Sequence, residues 1–162
     1  MSEMRPYSAI LLSLLMQGTA VIGADPDSTT LAWLTDFESA RQAAKKSDNP
    51  ILIEFTGSDW CVPCIRLEKQ VFKQEPFLSF AREHLVLVYC DLPFRKKISP
   101  EQKDHNEALS KRYKAKVYPV ILLVDHTGKA FFRQDGYRGE TGESFVRKLR
   151  EALATHKDTP SK

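Results

Sequence analysis

No stretch of this chain is apolar for the ~20 residues that a bilayer-spanning helix requires, and no sign of charge dominates. Lys and Arg number 24 against 21 Asp and Glu, a formal net charge of +3. The basic residues are dispersed among the acids rather than gathered on an aromatic-studded face, which sets nucleic acid aside as a partner. No internal repeat or low-complexity run occurs, and 42% hydrophobic with 28% charged residues is ordinary for a soluble globular protein. That balance excludes an intrinsically disordered chain and a polytopic membrane protein. Cysteine is scarce: Cys61, Cys64 and Cys90 are the three in the sequence, an odd count and too few for a scaffold stapled by disulfides. A zinc site would want four ligands, and no second C-x-x-C or suitably spaced Cys/His pair is present. Haem attachment would want His after the second cysteine of the pair, where Ile65 stands. The expectation is therefore no metal and no cofactor.

What is present fits one domain, since 162 residues suffice for a single good core. The first two dozen residues are built differently from the rest. Arg5 supplies a positive charge, "AILLSLLM" (9–16) is a short apolar run, and "GTAVIGA" (18–24) ends in small residues before Asp25-Pro26. This layout predicts a secretory signal over 1–24, cleaved near Gly23 or Ala24, then a linker (25–30), a domain over 31–155 and a polar tail (156–162). Ser13, Gln17 and Thr19 interrupt the apolar run, which argues against a retained anchor. The expected location is periplasmic or otherwise extracytoplasmic, where lasting disulfides are permitted.

Beyond the leader, "LAWL" (31–34) suggests a short edge strand, and Thr35 with Glu38 has the spacing of a capping box ahead of a helix that Asn49-Pro50 stops. "ILIEFT" (51–56) is apolar at nearly every position, as expected of a strand buried on both faces. A helix is predicted from about Cys61 through Phe72, with a further turn or two across 76–84. "LVLVYCDL" (85–92) predicts a second buried strand, followed by the basic, proline-bounded loop "PFRKKISP" (93–100). Ser99 and Gln102 again have capping spacing, with Pro100 at the first helical position of a helix over 101–113. "PVILLVD", a turn at 126–129 and "AFFRQ" read as a hairpin, and a helix over about 140–155 buries Phe145, Leu149 and Leu153. Strands separated by helices predict parallel pairing, the hairpin adds an antiparallel edge, and the fold class is α/β: a central mixed sheet flanked by helices on both faces.

In open α/β sheets the working site lies beyond the carboxyl ends of the strands, which is where Cys61 falls, just after 51–56. At a helix start its sulfur would meet unsatisfied N–H groups and the positive end of the helix dipole, a field that favours thiolate, the nucleophilic form. Cys64, one turn along on the same face, is within disulfide reach. Pro63 costs little in a first turn and stiffens the ring between the sulfurs. Neither Val62 nor Pro63 adds a charge that would stabilise the thiolate further, which points to a moderately low reduction potential. A permanent local bridge would close too short a loop to add much stability, so a redox-active dithiol is the favoured reading.

"EFTGSDWCVPCIRLEKQVF", with "KRYKAKVYPVILLVDHTGK" about fifty residues later, resembles the thioredoxin superfamily, and in particular its exported bacterial disulfide reductases. The resemblance covers roughly residues 31–155 and implies a thioredoxin fold. It implies Cys61 as the attacking and Cys64 as the resolving cysteine, Trp60 as the flanking aromatic, Pro119 as a cis-proline beside the disulfide, and Tyr118 as a backbone platform for an extended substrate segment. Glu54, costly in an apolar strand unless paired or able to reach solvent, would match the buried acid that accepts the resolving cysteine's proton, one residue farther from the motif than usual. The implied activity is protein-disulfide reduction on protein thiols and disulfides, by a monomer recharged by a membrane electron donor. The same chemistry run backwards as an oxidase or isomerase, and a non-catalytic thioredoxin-like binding module, are the alternatives. Cys90 is expected to behave as a small hydrophobe on a buried strand, near enough to the strand's carboxyl end to approach the active end. "FRKK" (94–97) reads first as a solvated loop, with partner docking as the lesser reading, and His105, on a helix expected to be exposed, is assigned no metal role.

Overall fold

In the computed structural model, which describes residues 31–157, the apolar runs become the middle of a five-stranded sheet of order β1-β3-β2-β4-β5. The strands are β1 (Trp33–Leu34), β2 (Ile51–Thr56), β3 (Val86–Asp91), β4 (Val120–Val124) and β5 (Ala130–Asp135). The helices are α1 (Phe37–Ser47), α2 (Val62–Leu67), α3 (Glu75–His84), α4 (Pro100–Arg112) and α5 (Gly142–Lys157). The predicted leader (1–24) and linker (25–30), and residues 158–162 of the tail, lie outside the described residues. No helix among the described residues is long and apolar enough to cross a membrane.

Every residue of β2 and β4 is buried, because helices cover both faces of the sheet. Alternation along β2 sends Leu52 to one face and Ile51, Ile53 and Phe55 to the other. Leu52 packs with Leu67, Val71 and Phe72 of the segment after the cysteines, Phe77 and Phe80 of α3, and Phe145 and Leu149 of α5. The opposite face packs on Phe37, Ala40 and Ala44 of α1 and Leu109 of α4.

Three sequence expectations need correction. α1 is capped by Asp36, whose carboxylate accepts the Ser39 N–H at 2.6 Å, while Glu38 pairs with Arg41 instead of closing a box with Thr35. A carboxylate one residue later is the better acceptor for the first-turn N–H groups and suits the helix dipole. The helix after Cys61 does not run evenly to Phe72, because α2 ends at Leu67 and Glu68–Phe72 forms a π-helical turn. Pairing, too, is not parallel wherever a helix intervenes. β1, β3 and β2 are mutually parallel, but β4 runs antiparallel to β2, with Phe55 opposite Val120. The antiparallel entry brings Pro119, immediately before β4, beside the end of β2 that leads to the cysteines. The Ser99 cap stands: its hydroxyl accepts the Gln102 N–H at 3.1 Å.

Candidate active site

Gly57 starts the turn that leaves β2, and its carbonyl accepts the N–H groups of Trp60 and Cys61 at 3.2 and 2.8 Å. That turn delivers Cys61 as the N-cap of α2, in extended backbone conformation, with Pro63 in the first turn where no N–H is needed. Cys61 and Cys64 form a disulfide with a Cα–Cα distance of 5.2 Å, and the Cys64 N–H lies 3.3 Å from the Cys61 sulfur. Both residues are nearly enclosed, at 4% and 2% exposure. No group of three or more His, Cys, Asp or Glu able to hold a metal occurs among the described residues.

The surroundings are held by side chains that sequence reasoning did not single out. Asp91, at the end of β3, accepts both the Ser58 N–H at 2.9 Å and the Ser58 hydroxyl at 2.6 Å, tying the turn to the sheet. Asp59 accepts the N–H groups of Phe94, Arg95 and Lys96 at 2.8, 2.6 and 2.7 Å. The Phe94 N–H leads the bonds that hold the Asp59 carboxyl below the usual carboxylate range. The signal for these contacts was the "GSD" composition, since Ser and Asp side chains bond nearby backbone in turns, though nothing in it names the partners. Gly57 was legible only as a turn residue. A Cβ there would fall 2.3 Å from the Trp60 ring, so glycine is what admits the indole.

Trp60 donates its indole N–H to the Leu92 carbonyl at 2.8 Å and meets the Tyr118 ring edge-on at 5.8 Å. The Tyr118–Pro119 peptide is cis, and the Pro119 carbonyl accepts the Gly136 N–H at 2.7 Å. The structure therefore brings Trp60, the cysteine pair, Tyr118 and Pro119 to one end of the sheet.

Glu54 is 2% exposed, which rules out the reading in which it reaches solvent. On β2 it shares the face of Leu52, the face covered by α2 and Leu67, and it lines a cavity of about 340 Å³ with Trp33, Glu68, Phe72 and Tyr89. Burial, reinforced by the nearby Glu68 charge, pushes its carboxyl up to about 8, against the pull of a hydrogen bond with Thr56. Cys90 belongs to the other face, packed with Phe55 and Leu109. Its thiol donates to the Asn106 carbonyl at 3.4 Å, and burial pushes it up to about 12. The expectation that Cys90 could approach the active end is thus corrected, because strand alternation turns it away from α2, and its role as a small buried hydrophobe holds. His105 is half-buried, with its Nε2 accepting the Phe37 N–H at 3.3 Å at the start of α1.

Comparison with known proteins agrees with this geometry. A family described as thioredoxin-like matches residues 32–126. A disulfide bond reductase, DsbH, of Chlamydia pneumoniae is 32% identical over 126 residues, 78% of this chain and 75% of that one. The thioredoxin-related protein DsbJ of Chlamydia pneumoniae is 26% identical over 144 residues, which make up 89% of this chain but 41% of DsbJ. A solved structure of a DsbH oxidoreductase superposes with a TM-score of 0.73 at 30% identity, covering 85% of this chain and 94% of its own.

Proposed function

This chain belongs to the thioredoxin-like family of disulfide oxidoreductases, and from that premise we propose that it reduces protein disulfides outside the cytoplasm through Cys61 and Cys64. The observation that carries the proposal is the placement of the Cys61 sulfur at a helix start, under the Cys64 N–H, with Cys64 in bonding reach. A backbone N–H aimed at a sulfur favours its thiolate, and the thiolate is the attacking species.

In the reduced enzyme, the Cys61 thiolate attacks one sulfur of a substrate disulfide. A Cys61–substrate bond forms, and the other substrate sulfur leaves as a thiolate that takes a proton from solvent. Cys64, giving up its proton, then attacks the Cys61 sulfur, closing the bridge and releasing the second substrate sulfur as a thiol. Two electrons have passed from the enzyme dithiol to the substrate. Glu54 is the proposed acceptor of the Cys64 proton, supported by its place on the face that α2 covers and by a carboxyl pushed up to about 8, so that its ionised, proton-accepting form grows as pH rises toward that value. Trp60, Tyr118 and Pro119 are the proposed substrate-contacting rim.

The reductase direction draws support from the uncharged Val62-Pro63 pair between the cysteines and from the name of the DsbH relative. The leader over 1–24 would export the chain, and a membrane dithiol protein would return it to the reduced state. Equilibration with a thiol redox buffer should give a potential toward the thioredoxin end, roughly −270 mV, and one near the roughly −120 mV of DsbA would overturn the direction. Cys64→Ser should accumulate mixed disulfides through Cys61. Partners held equally well after both cysteines are replaced would instead mark a binding module without exchange chemistry.

A further inference from the structure

The four large apolar side chains that stand most exposed among the described residues all gather around the cysteine pair. Trp60 precedes Cys61, Val62 lies inside the ring, Val117 precedes Tyr118-Pro119, and Phe94 belongs to the loop that Asp59 holds. Phe94 is the extreme case at 84% exposure. Its position is built: three consecutive N–H groups of the loop turn inward to the Asp59 carboxylate, so the side chains of Phe94 and Arg95 are presented outward on a backbone with little freedom. The indole N–H of Trp60 bonds the Leu92 carbonyl at the root of the same loop. Between them Trp60, Leu92, Pro93 and Phe94 line an open hollow of about 510 Å³. An apolar cluster concentrated at one end of a fold, with a polar surround, marks an interaction surface rather than scattered surface apolarity.

Charge says what covers it. Arg95, Lys96 and Lys97 continue the loop, and Lys116, also exposed, precedes Val117 in the segment that leads to Tyr118-Pro119. Among the described residues none of these four makes an ion pair. The loop's neighbouring carboxylate, Asp59, is already engaged by backbone N–H groups. We propose that residues 93–97 form a substrate-selecting lip that favours disulfides in acidic protein segments, seating an apolar residue in the Trp60–Phe94 hollow while Arg95, Lys97 and Lys116 meet carboxylates flanking the substrate cysteine. This deepens, and rests on, the reductase reading of the same site. Unpaired cations at the rim of an apolar contact act on encounter rate and partner choice.

The test uses two disulfide-linked peptides, identical except that Asp-Glu or Lys-Lys flanks the cysteine, each reduced by the dithiol form of the full chain. The acidic peptide should be reduced with kcat/KM higher by roughly tenfold at low salt. The ratio should fall toward one in 1 M salt, where charges are screened beyond about 3 Å. Arg95→Glu with Lys97→Glu should invert the ratio, and the milder Arg95→Gln with Lys97→Gln should bring it near one. Phe94→Ala should raise KM for both peptides. A ratio of one in the wild-type chain, or a ratio unmoved by charge reversal, overturns the proposal. Turnover of the uncharged 2-hydroxyethyl disulfide by the wild-type chain checks the reductase reading separately. Should that turnover be absent, binding of the two peptides with their cysteines replaced by serine, measured on the oxidised chain, decides the lip: tighter binding of the acidic peptide supports it, and equal binding overturns it.

Discussion

The backbone N–H of Cys64 lies 3.3 Å from the sulfur of Cys61, so in the proposed mechanism the residue that would close the bridge also polarises the sulfur that would attack the substrate. The two sulfurs are thereby unequal although both belong to the same turn of chain. Cys90 lies on the other face of the sheet, with its thiol pushed up to about 12 by burial.

After reduction, iodoacetamide at pH 7 should label Cys61 first, faster than an ordinary free thiol of pKa about 8.5. Cys64 should follow slowly, and Cys90 should react only on unfolding. Mass spectrometry of timed samples reads the order, and labelling of Cys90 ahead of Cys61 would contradict the assignment.

Glu54 gives stability a pH dependence of definite sign. Between about 4.5 and about 8 the folded chain holds a proton on this carboxyl that the unfolded chain has released. Stability is therefore intact below that window and is lost as pH rises through it, by at most about 1.4 kcal/mol per pH unit. Glu54→Gln should flatten the dependence and leave the chain more stable than wild type at pH 8, as measured by urea unfolding at pH 5, 6.5 and 8. The same variant should slow release of the mixed disulfide by up to roughly a hundredfold at pH 8, where the wild-type carboxyl is about half ionised, and by less at pH 6.5, where it holds its proton. Identical pH slopes in the two proteins would show that Glu54 ionises freely.

Gly57→Ala should displace the Trp60 indole, because the added methyl would lie 2.3 Å from its ring. Loss of the bond to Leu92 and of the contact with Tyr118 follows, at a cost of about 1–3 kcal/mol. A red shift in tryptophan emission with a lower urea midpoint is the expected pair of readouts, and unchanged emission would mean the turn can rearrange without the ring moving.

Asn106 is buried beneath the end of β3, donating to the Asp91 carbonyl at 2.7 Å and accepting from Gln102 at 2.8 Å. Asn106→Leu keeps the bulk but takes this donor from the Asp91 carbonyl, while the Gln102 amide keeps its bond to the Thr35 carbonyl at 3.0 Å, and a buried polar group left unpaired costs about 1–3 kcal/mol. Urea unfolding should register that loss, and Asn106→Leu should also loosen the turn that Asp91 holds through Ser58, seen as faster exchange of the Ser58 amide.

Apolar continuity at 51–56, buried on both faces, the strand at 85–92, of which Leu87, Val88 and Cys90 are buried, and the Ser99-Pro100 start of α4 were written in the residues, because strand burial and helix starts leave local signatures. So was the chemistry: two cysteines three apart after a buried strand admit few uses. Other features were not local. The choice of Asp36 over Thr35 as a cap depended on which acceptor met the Ser39 N–H, and the antiparallel entry of β4, which sets Pro119 beside the end of β2 that leads to the cysteines, on how the chain returned to the sheet. Strand parity put Glu54 under α2 and Cys90 on the opposite side, so one acid became a buried titrating group and one thiol became inert. The three backbone bonds to Asp59 join residues more than thirty positions apart, a contact that composition cannot specify. Sequence alone determined which atoms can exchange electrons, since that property belongs to residue types at close spacing. Only the tertiary structure decided which groups surround those atoms, since burial and hydrogen-bond partners arise when distant segments pack.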